Sequence, residues 1–339
     1  MQRMDKPRVN GMMSFCTKRL CITVMALAMG TNAAHAAYHN PFTTTPVIQL
    51  SETEKAAYID QKTQTLFSAA ESPKELHYIV PKRWQQDLHA WKQVKLEKYT
   101  SFHKKTDKVV LQLHGGGYIQ GNHNLHRDWA IARAEAMGSG TVYMLNYRFY
   151  PDAKYPAALE DAVAAYQAML RSGIPAKDIV VMGDSAGGNL ALALALYLRD
   201  HNLAEPGCLA LYSPWGDVGH LPSHDMNQEK DMILGLRNPV MNAAVRNNHS
   251  YFQDTDIKAP YVSPVYADFT GLPPILMIAG EKELFIDDCR LLEQRGREAG
   301  VPVETHVYPG MSHDWPILFP ELPESRDTYD VLAKFIKKQ

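Results

Sequence analysis

Cysteine is scarce, at 4 in 339 residues, and no two form a CxxC pair. That excludes a disulfide framework and offers no zinc or thiol-redox centre of the CxxC kind. An excess of one charge is lacking too: 35 Lys and Arg against 37 Asp and Glu leave −2 at pH 7 with neutral histidines. Such a balance argues against a protein that works by neutralising nucleic-acid phosphates, and no nucleic-acid partner is expected. Internal repeats and low-complexity tracts are absent, and no long apolar run follows the first 36 residues. With 45% apolar and 21% charged residues the chain is neither disordered nor collagen-like. What remains is a globular protein with core enough for one large domain or two small ones.

The amino terminus has the layout of a secretory signal peptide. Arg3, Lys6, Arg8, Lys18 and Arg19 form a basic lead, Leu20 to Gly30 an apolar run, and Ala34-His35-Ala36 a small-x-small cleavage site. Met12 or Met13 would give this leader a more ordinary length. The apolar run is short for a hydrocarbon layer of roughly 30 Å, so no stable membrane span is expected in the mature chain, which should be periplasmic or secreted. Cleavage after residue 36 would leave 30 basic against 36 acidic side chains, a mildly acidic −6. Cys208 and Cys289 would then remain, one in a buried-strand pattern and one in a helix, and two free buried thiols are expected.

From about residue 106 onward, strand and helix signals alternate. Short apolar runs at residues 108–113, 140–145, 179–182, 208–212, 275–278 and 303–308 are bounded by Gly and Pro, as in strands buried on both faces. Helical patterns lie between and after them, at residues 128–137, 157–170, 189–199, 288–298 and 327–337. The alternation predicts an α/β fold with a mostly parallel central sheet and helices on both faces. Residues 37–105 carry helical patterns without a strong strand and read as an N-terminal cap segment. Residues 215–262, rich in Met, Asn and His, read as a second cap insertion within a catalytic domain spanning residues 106–339.

Two glycine motifs carry the chemistry. The strand Ile179-Val180-Val181-Met182 runs into Gly183-Asp184-Ser185-Ala186-Gly187-Gly188 and then into a helix. This is G-x-S-x-G in its required strand–turn–helix setting, where glycines let two chain segments pass and the serine is presented on a strained tip. A phosphate loop would need G-K-[ST], which is missing. The second motif, His114-Gly115-Gly116-Gly117, follows the strand at 108–113. Its unshielded amides suit a developing alkoxide, and Gly115, Gly116 and Ala186 are the expected oxyanion donors. A dinucleotide turn is excluded because Gln120 stands where its third glycine belongs. His114 reads as a brace for the glycine loop.

Together these two motifs resemble those of the hormone-sensitive-lipase-like esterases of the α/β-hydrolase fold. Asn146-Tyr147-Arg148-Phe149-Tyr150-Pro151, Tyr155-Pro156-Ala157-Ala158, Ser213-Pro214-Trp215, Ser263-Pro264 and Leu272-Pro273-Pro274 support the resemblance, which covers roughly residues 105–338. It implies a helical cap and a serine carboxylic-ester hydrolase acting on short- to medium-chain acyl esters, with no cofactor.

Ser185 needs a base and an orienting acid. His313, in Tyr308-Pro309-Gly310-Met311-Ser312-His313, follows the last strand and matches the family's G-M-x-H pattern, which singles it out among 14 histidines. Aligned on Pro273-Pro274 and Gly280, the family's acid falls on Glu283, where Asp is commoner. Asp287 and Asp288 are rivals, although they also suit the first turn of the following helix. His220, His224 and Asp225 read as a surface loop, and no metal is assigned. Trp84, Trp91, Met226, Met232 and Met241 could line an acyl pocket or simply pack the cap. Deacetylation of acetylated sugars, lactone hydrolysis, and a non-catalytic small-molecule-binding role on the same pocket remain alternatives.

Overall fold

A computed structural model describes residues 40–68, 77–91, 94–246 and 250–339. The signal-peptide segment lies outside the described residues.

Eight strands form one sheet: β1 (Trp84–Trp91), β2 (Val94–Ser101), β3 (Val109–Leu113), β4 (Thr141–Asn146), β5 (Ile179–Asp184), β6 (Cys208–Tyr212), β7 (Ile275–Gly280) and β8 (Val303–Tyr308). Their order is β1-β2-β4-β3-β5-β6-β7-β8, and β2 alone runs against the rest. The hydrophobic runs seen in the sequence become β3 to β8. Every residue of β5, β6 and β7 is buried, so helices cover both faces there, whereas β8 is half-exposed at the edge.

Crossover helices link the parallel strands: α3 (Asn124–Met137), α4 (Ala157–Arg171), α5 (Ala186–Asp200) and α8 (Ile286–Glu298), with α10 (Pro323–Ile336) closing the chain. Within the covering layers α3 packs on α10 and α4 on α5. Because β3 lies between β4 and β5, the winding direction reverses there. That reversal opens a crevice at the carboxyl ends of β3 and β5, where the glycine loop and the serine turn emerge.

The N-terminal segment corrects one expectation. It contains helices, α1 (Pro41–Thr44) and α2 (Glu52–Ser68), but also the hairpin β1–β2, which extends the sheet. Its strands carry polar residues at most positions, so no apolar run announces them. One of those polar groups is nevertheless used: Glu97 of β2 is buried and takes a two-pronged pairing from Arg127 of α3, at 2.6 and 2.7 Å. Helix α2 docks through Lys55–Glu324 (2.5 Å) and Lys62–Glu321 onto the C-terminal region, and its Asp60 pairs with Arg237 of the 215–262 insertion. That insertion carries α6 (Pro222–Met226) and α7 (Pro239–Arg246). A short α9 (Trp315–Leu318) follows the loop after β8. Cys208 and Cys289 are buried free thiols. Among the described residues no helix is long and apolar enough to cross a membrane.

Candidate active site

Ser185 follows β5 and stands at the N-cap position of α5, with φ 52° and ψ −119°. A non-glycine residue in that region is strained, and the surrounding turn enforces it. Ser185 N–H donates to Tyr212 O at 2.9 Å, and its carbonyl accepts from Trp215 N–H at 3.1 Å. The turn is tight enough that a Cβ on Gly183 would lie 2.2 Å from Gly187 O, and one on Gly187 would lie 2.2 Å from Leu113 O. Only glycine permits β3, β5 and α5 to approach this closely. Ser185 is nearly enclosed, and the amide of Ala186 at the first position of α5 precedes the helix's own hydrogen-bond ladder.

The glycine loop curls through three successive residues of positive φ: Gly116 (107°), Gly117 (62°) and Tyr118 (58°). His114 braces it, as expected. Its ring stacks on Tyr147 with centroids 4.0 Å apart, Nδ1 lies 2.8 Å from Gly115 O, and Tyr147 Oη donates to His114 O at 2.6 Å. Burial drives the His114 pKa down to about 3, with His126 adding to the effect, so the ring is neutral. Gly115 corrects an expectation. Its N–H donates to Asp184 Oδ2 at 2.9 Å and is not available to an alkoxide. The oxyanion candidates are accordingly Gly116 and Ala186.

β7 and β8 are parallel to β5, so the loops that follow them leave from the same sheet edge. They are held together: Glu281 N–H donates to Tyr308 O at 3.0 Å and Lys282 N–H to Met311 O at 2.9 Å. A Cβ on Gly280 would meet Met311 O at 2.4 Å, so that strand end too must be glycine. The side chains carried by these loops meet in the interior. His313 Nδ1 lies 3.8 Å from Glu283 Oε2, and both residues are buried. This is longer than a hydrogen bond, a spacing common where substrate is needed to tighten a site. The β6 end ties the loops together, since Asp314 N–H donates to Ser213 Oγ at 3.1 Å and Ser213 N–H to Ile278 O at 2.7 Å.

The rivals for the acid are engaged elsewhere. Asp287 Oδ2 accepts Ser223 N–H at 3.0 Å while its Oδ1 pairs with Arg290. Asp288 Oδ1 accepts the amides of Gly216 and Asp217, at 2.9 and 2.7 Å, and its Oδ2 meets His224 Nε2 at 2.7 Å. His224 is therefore buried, which corrects the surface-loop reading for that residue; His220, paired with Asp225, is exposed. Among the described residues no group of three or more His, Cys, Asp or Glu is placed to hold a metal ion. Of the expected acyl-pocket residues, Trp84 is a packing residue that donates to Glu135 at 2.8 Å, and Met226 is largely exposed. Met232 and Met241 are half-buried in the insertion. The side chain of Trp91 lies outside the described residues.

One group escaped the sequence reading. Asp314, at φ 48°, places Oδ2 3.0 Å from His313 Nε2. Burial pulls the His313 pKa down, but Asp314, Glu283 and Asp231 together outweigh it and raise it to about 9. Burial raises Glu283 to about 8 against the opposing His313 charge and the Ser213 hydroxyl, and raises Asp314 to about 6. Nothing in the sequence marked Asp314 beyond its adjacency to His313.

A strained serine between strand and helix, at the winding reversal of this sheet, places the chain in the α/β-hydrolase class. Residues 110–317 match a family model described as the alpha/beta hydrolase fold. An acetyl-hydrolase of Streptomyces hygroscopicus is 37% identical over 235 residues, 69% of this chain and 77% of that protein. An esterase of Acinetobacter venetianus is 32% identical over 67% of this chain and 74% of its own length. The solved structure of an esterase from the bacterial hormone-sensitive lipase family superposes with a TM-score of 0.75 at 30% identity, covering 86% of this chain and 99% of that one. EstE5, solved after soaking with p-nitrophenyl butyrate, gives a TM-score of 0.70 at 27% identity, over 88% and 95% of the two chains. The chain belongs to the hormone-sensitive-lipase-like esterases of this fold, and it is a carboxylesterase-type hydrolase.

Proposed function

We propose that the protein is an exported serine carboxylesterase that cleaves short- to medium-chain acyl esters through an acyl-enzyme on Ser185. In the first half-reaction the Ser185 hydroxyl oxygen bonds to the ester carbonyl carbon while His313 Nε2, released from its contact with Asp314, takes the hydroxyl proton. The amides of Gly116 and Ala186 hold the oxyanion, and Glu283 steadies the imidazolium through Nδ1. Collapse breaks the bond to the alcohol, which leaves with the proton from His313. Water then adds to the acyl carbon by the same route, releasing the acid and restoring Ser185.

The observation that carries this reading is the strained Ser185 on the sheet edge that also holds the buried Glu283–His313 contact. Similarity to an acetyl-hydrolase supports the short end of the acyl range. The signal-peptide layout of the first 36 residues supports export.

The test is hydrolysis of p-nitrophenyl acetate, butyrate and longer esters by the protein and by Ser185→Ala, with mass spectrometry after treatment with an organophosphate. Turnover lost in Ser185→Ala, together with a phosphoryl adduct on Ser185, is the expected result. A folded protein that is inactive on every chain length, or an active Ser185→Ala variant, would overturn the proposal.

A further inference from the structure

The insertion between β6 and β7 does more than lie beside the site. Glu283 sits in a five-residue turn between the end of β7 at Gly280 and the start of α8 at Ile286, where neither strand nor helix holds the backbone. The bonds inside this turn are long: Glu283 N–H to Gly280 O and Ile286 N–H to Glu283 O are both 3.4 Å. At Glu283 and Leu284 themselves the short bonds come from the insertion. Asn227 Nδ2 donates to Glu283 O at 2.9 Å, Ser223 Oγ donates to Leu284 O at 2.5 Å, and Asp231 Oδ2 accepts Leu284 N–H at 2.8 Å.

Asp231 is fully buried, and its other oxygen accepts the amides of Ile233 and Leu234 at 2.9 and 3.1 Å. The next residue, Met232, donates its N–H to Ser312 Oγ at 3.2 Å, immediately before His313. One short stretch of the insertion therefore grips the acid's loop on one side and the histidine's loop on the other. A buried carboxylate that satisfies three amides is a rigid anchor, because losing it would strand several donors at once.

We propose that Asp231 is a positioning residue for the Glu283–His313 pair, setting the acid's backbone through the Leu284 amide and joining the insertion to the reaction centre. The proposal rests on the serine-esterase reading above. Glu283 has one more methylene than aspartate, so its carboxylate keeps its place only if the backbone beneath it is pinned. Asp231 touches neither substrate nor the reacting atoms. It acts through Leu284, and its charge also faces His313 and Glu283.

The experiment is a double-mutant cycle on the full chain, measured with p-nitrophenyl acetate. Asp231→Ala is expected to lower kcat about a hundredfold with KM within about twofold. In a Glu283→Gln background the same substitution is expected to cost about twofold or less, since an anchor has nothing to add once its acid is disabled. Asp231→Asn, nearly isosteric, covers the case in which the alanine variant fails to fold. It is expected to lower kcat about tenfold and to move the acid limb of the kcat/KM profile to lower pH, because it removes a negative charge that favours the imidazolium. Wild-type kcat in a folded Asp231→Asn or Asp231→Ala variant, or a full additive loss in the Glu283→Gln background, would overturn the proposal. Failure of the esterase reading itself is read separately, in the unmodified protein and Ser185→Ala.

Discussion

The amide of Gly115 donates to Oδ2 of Asp184 across 2.9 Å, joining the glycine loop after β3 to the serine turn after β5. Behind that bond Asp184 Oδ1 accepts Gln112 Nε2 at 3.3 Å, and Gln112 Oε1 accepts Arg133 Nη2 at 2.7 Å. Arg133 is fully buried and lies 3.6 Å from the centroid of the Trp129 ring. The glycine loop thus hangs from a polar chain that ends in a cation held against an aromatic face.

Asp184→Asn offers one oxygen where two are used, so either Gly115 or Gln112 faces an amide hydrogen. The expected outcome is a kcat loss of about tenfold to a hundredfold on p-nitrophenyl acetate, with a smaller change in KM, because the donors misalign with the transition state rather than with bound ester. Steady-state kinetics beside a circular-dichroism spectrum check it. Wild-type kcat would mean that the loop holds itself.

In the proposed mechanism Glu283→Gln removes the charge that stabilises the imidazolium while keeping the side-chain shape. Turnover should fall roughly a thousandfold or more with the melting temperature little changed. Asp287→Asn should leave kcat within about twofold, since that carboxylate serves Ser223 and Arg290 on the start of α8. The reverse pattern in the two variants would transfer the orienting role to Asp287.

The pH profile reports on Asp314. In the proposed mechanism His313 must be neutral to take a proton, so kcat/KM should rise with pH through its pKa, which the surrounding carboxylates raise to about 9. Asp314→Asn removes the strongest of those charges, and the acid limb should move to lower pH by about one to two units. An unmoved limb would show that Asp314 is not ionised beside Nε2 in the working enzyme.

His224 and Asp288 pin α6 to α8. Burial opposes charge on His224, but the hydrogen bond and charge of Asp288 win and raise its pKa. A raised histidine value means that the stabilisation is complete below about pH 6.5 and fades as pH climbs through the folded-state value. His224→Ala should cost about 3 kcal/mol at pH 6 and less at pH 8.5. Urea melts at the two pH values measure this, and an equal cost at both would exclude a charged pair.

Local sterics made the serine turn legible in the sequence. A short apolar run before Gly183 and glycines at 183 and 187 describe a crossing that no other residue permits, and the same holds for the loop after β3. Glu283 and His313 could be named as candidates because each follows a recognisable strand and falls on the pattern of the family that the chain resembles. The β1–β2 hairpin could not, since its stability lies in partners that only folding supplies, such as Arg127 for Glu97. Likewise, nothing near His224 revealed that Asp288, 64 residues later, would take it out of solvent.

By itself, then, the sequence marked the alternating strands and helices from β3 onward, the glycine-flanked turn that presents Ser185, and the sheet edge that carries its candidate partners. These follow from residue type and short spacing, which act within a few residues along the chain. Only the tertiary structure decided which amides and carboxylates are left for chemistry. It committed Gly115 to Asp184, gave Asp287 and Asp288 partners on α6 and the 215–262 insertion, set Asp314 against His313 and put Asp231 under the Glu283 loop. Those are contacts between segments distant in sequence, and a buried polar group takes whichever partner packing brings within about 3 Å.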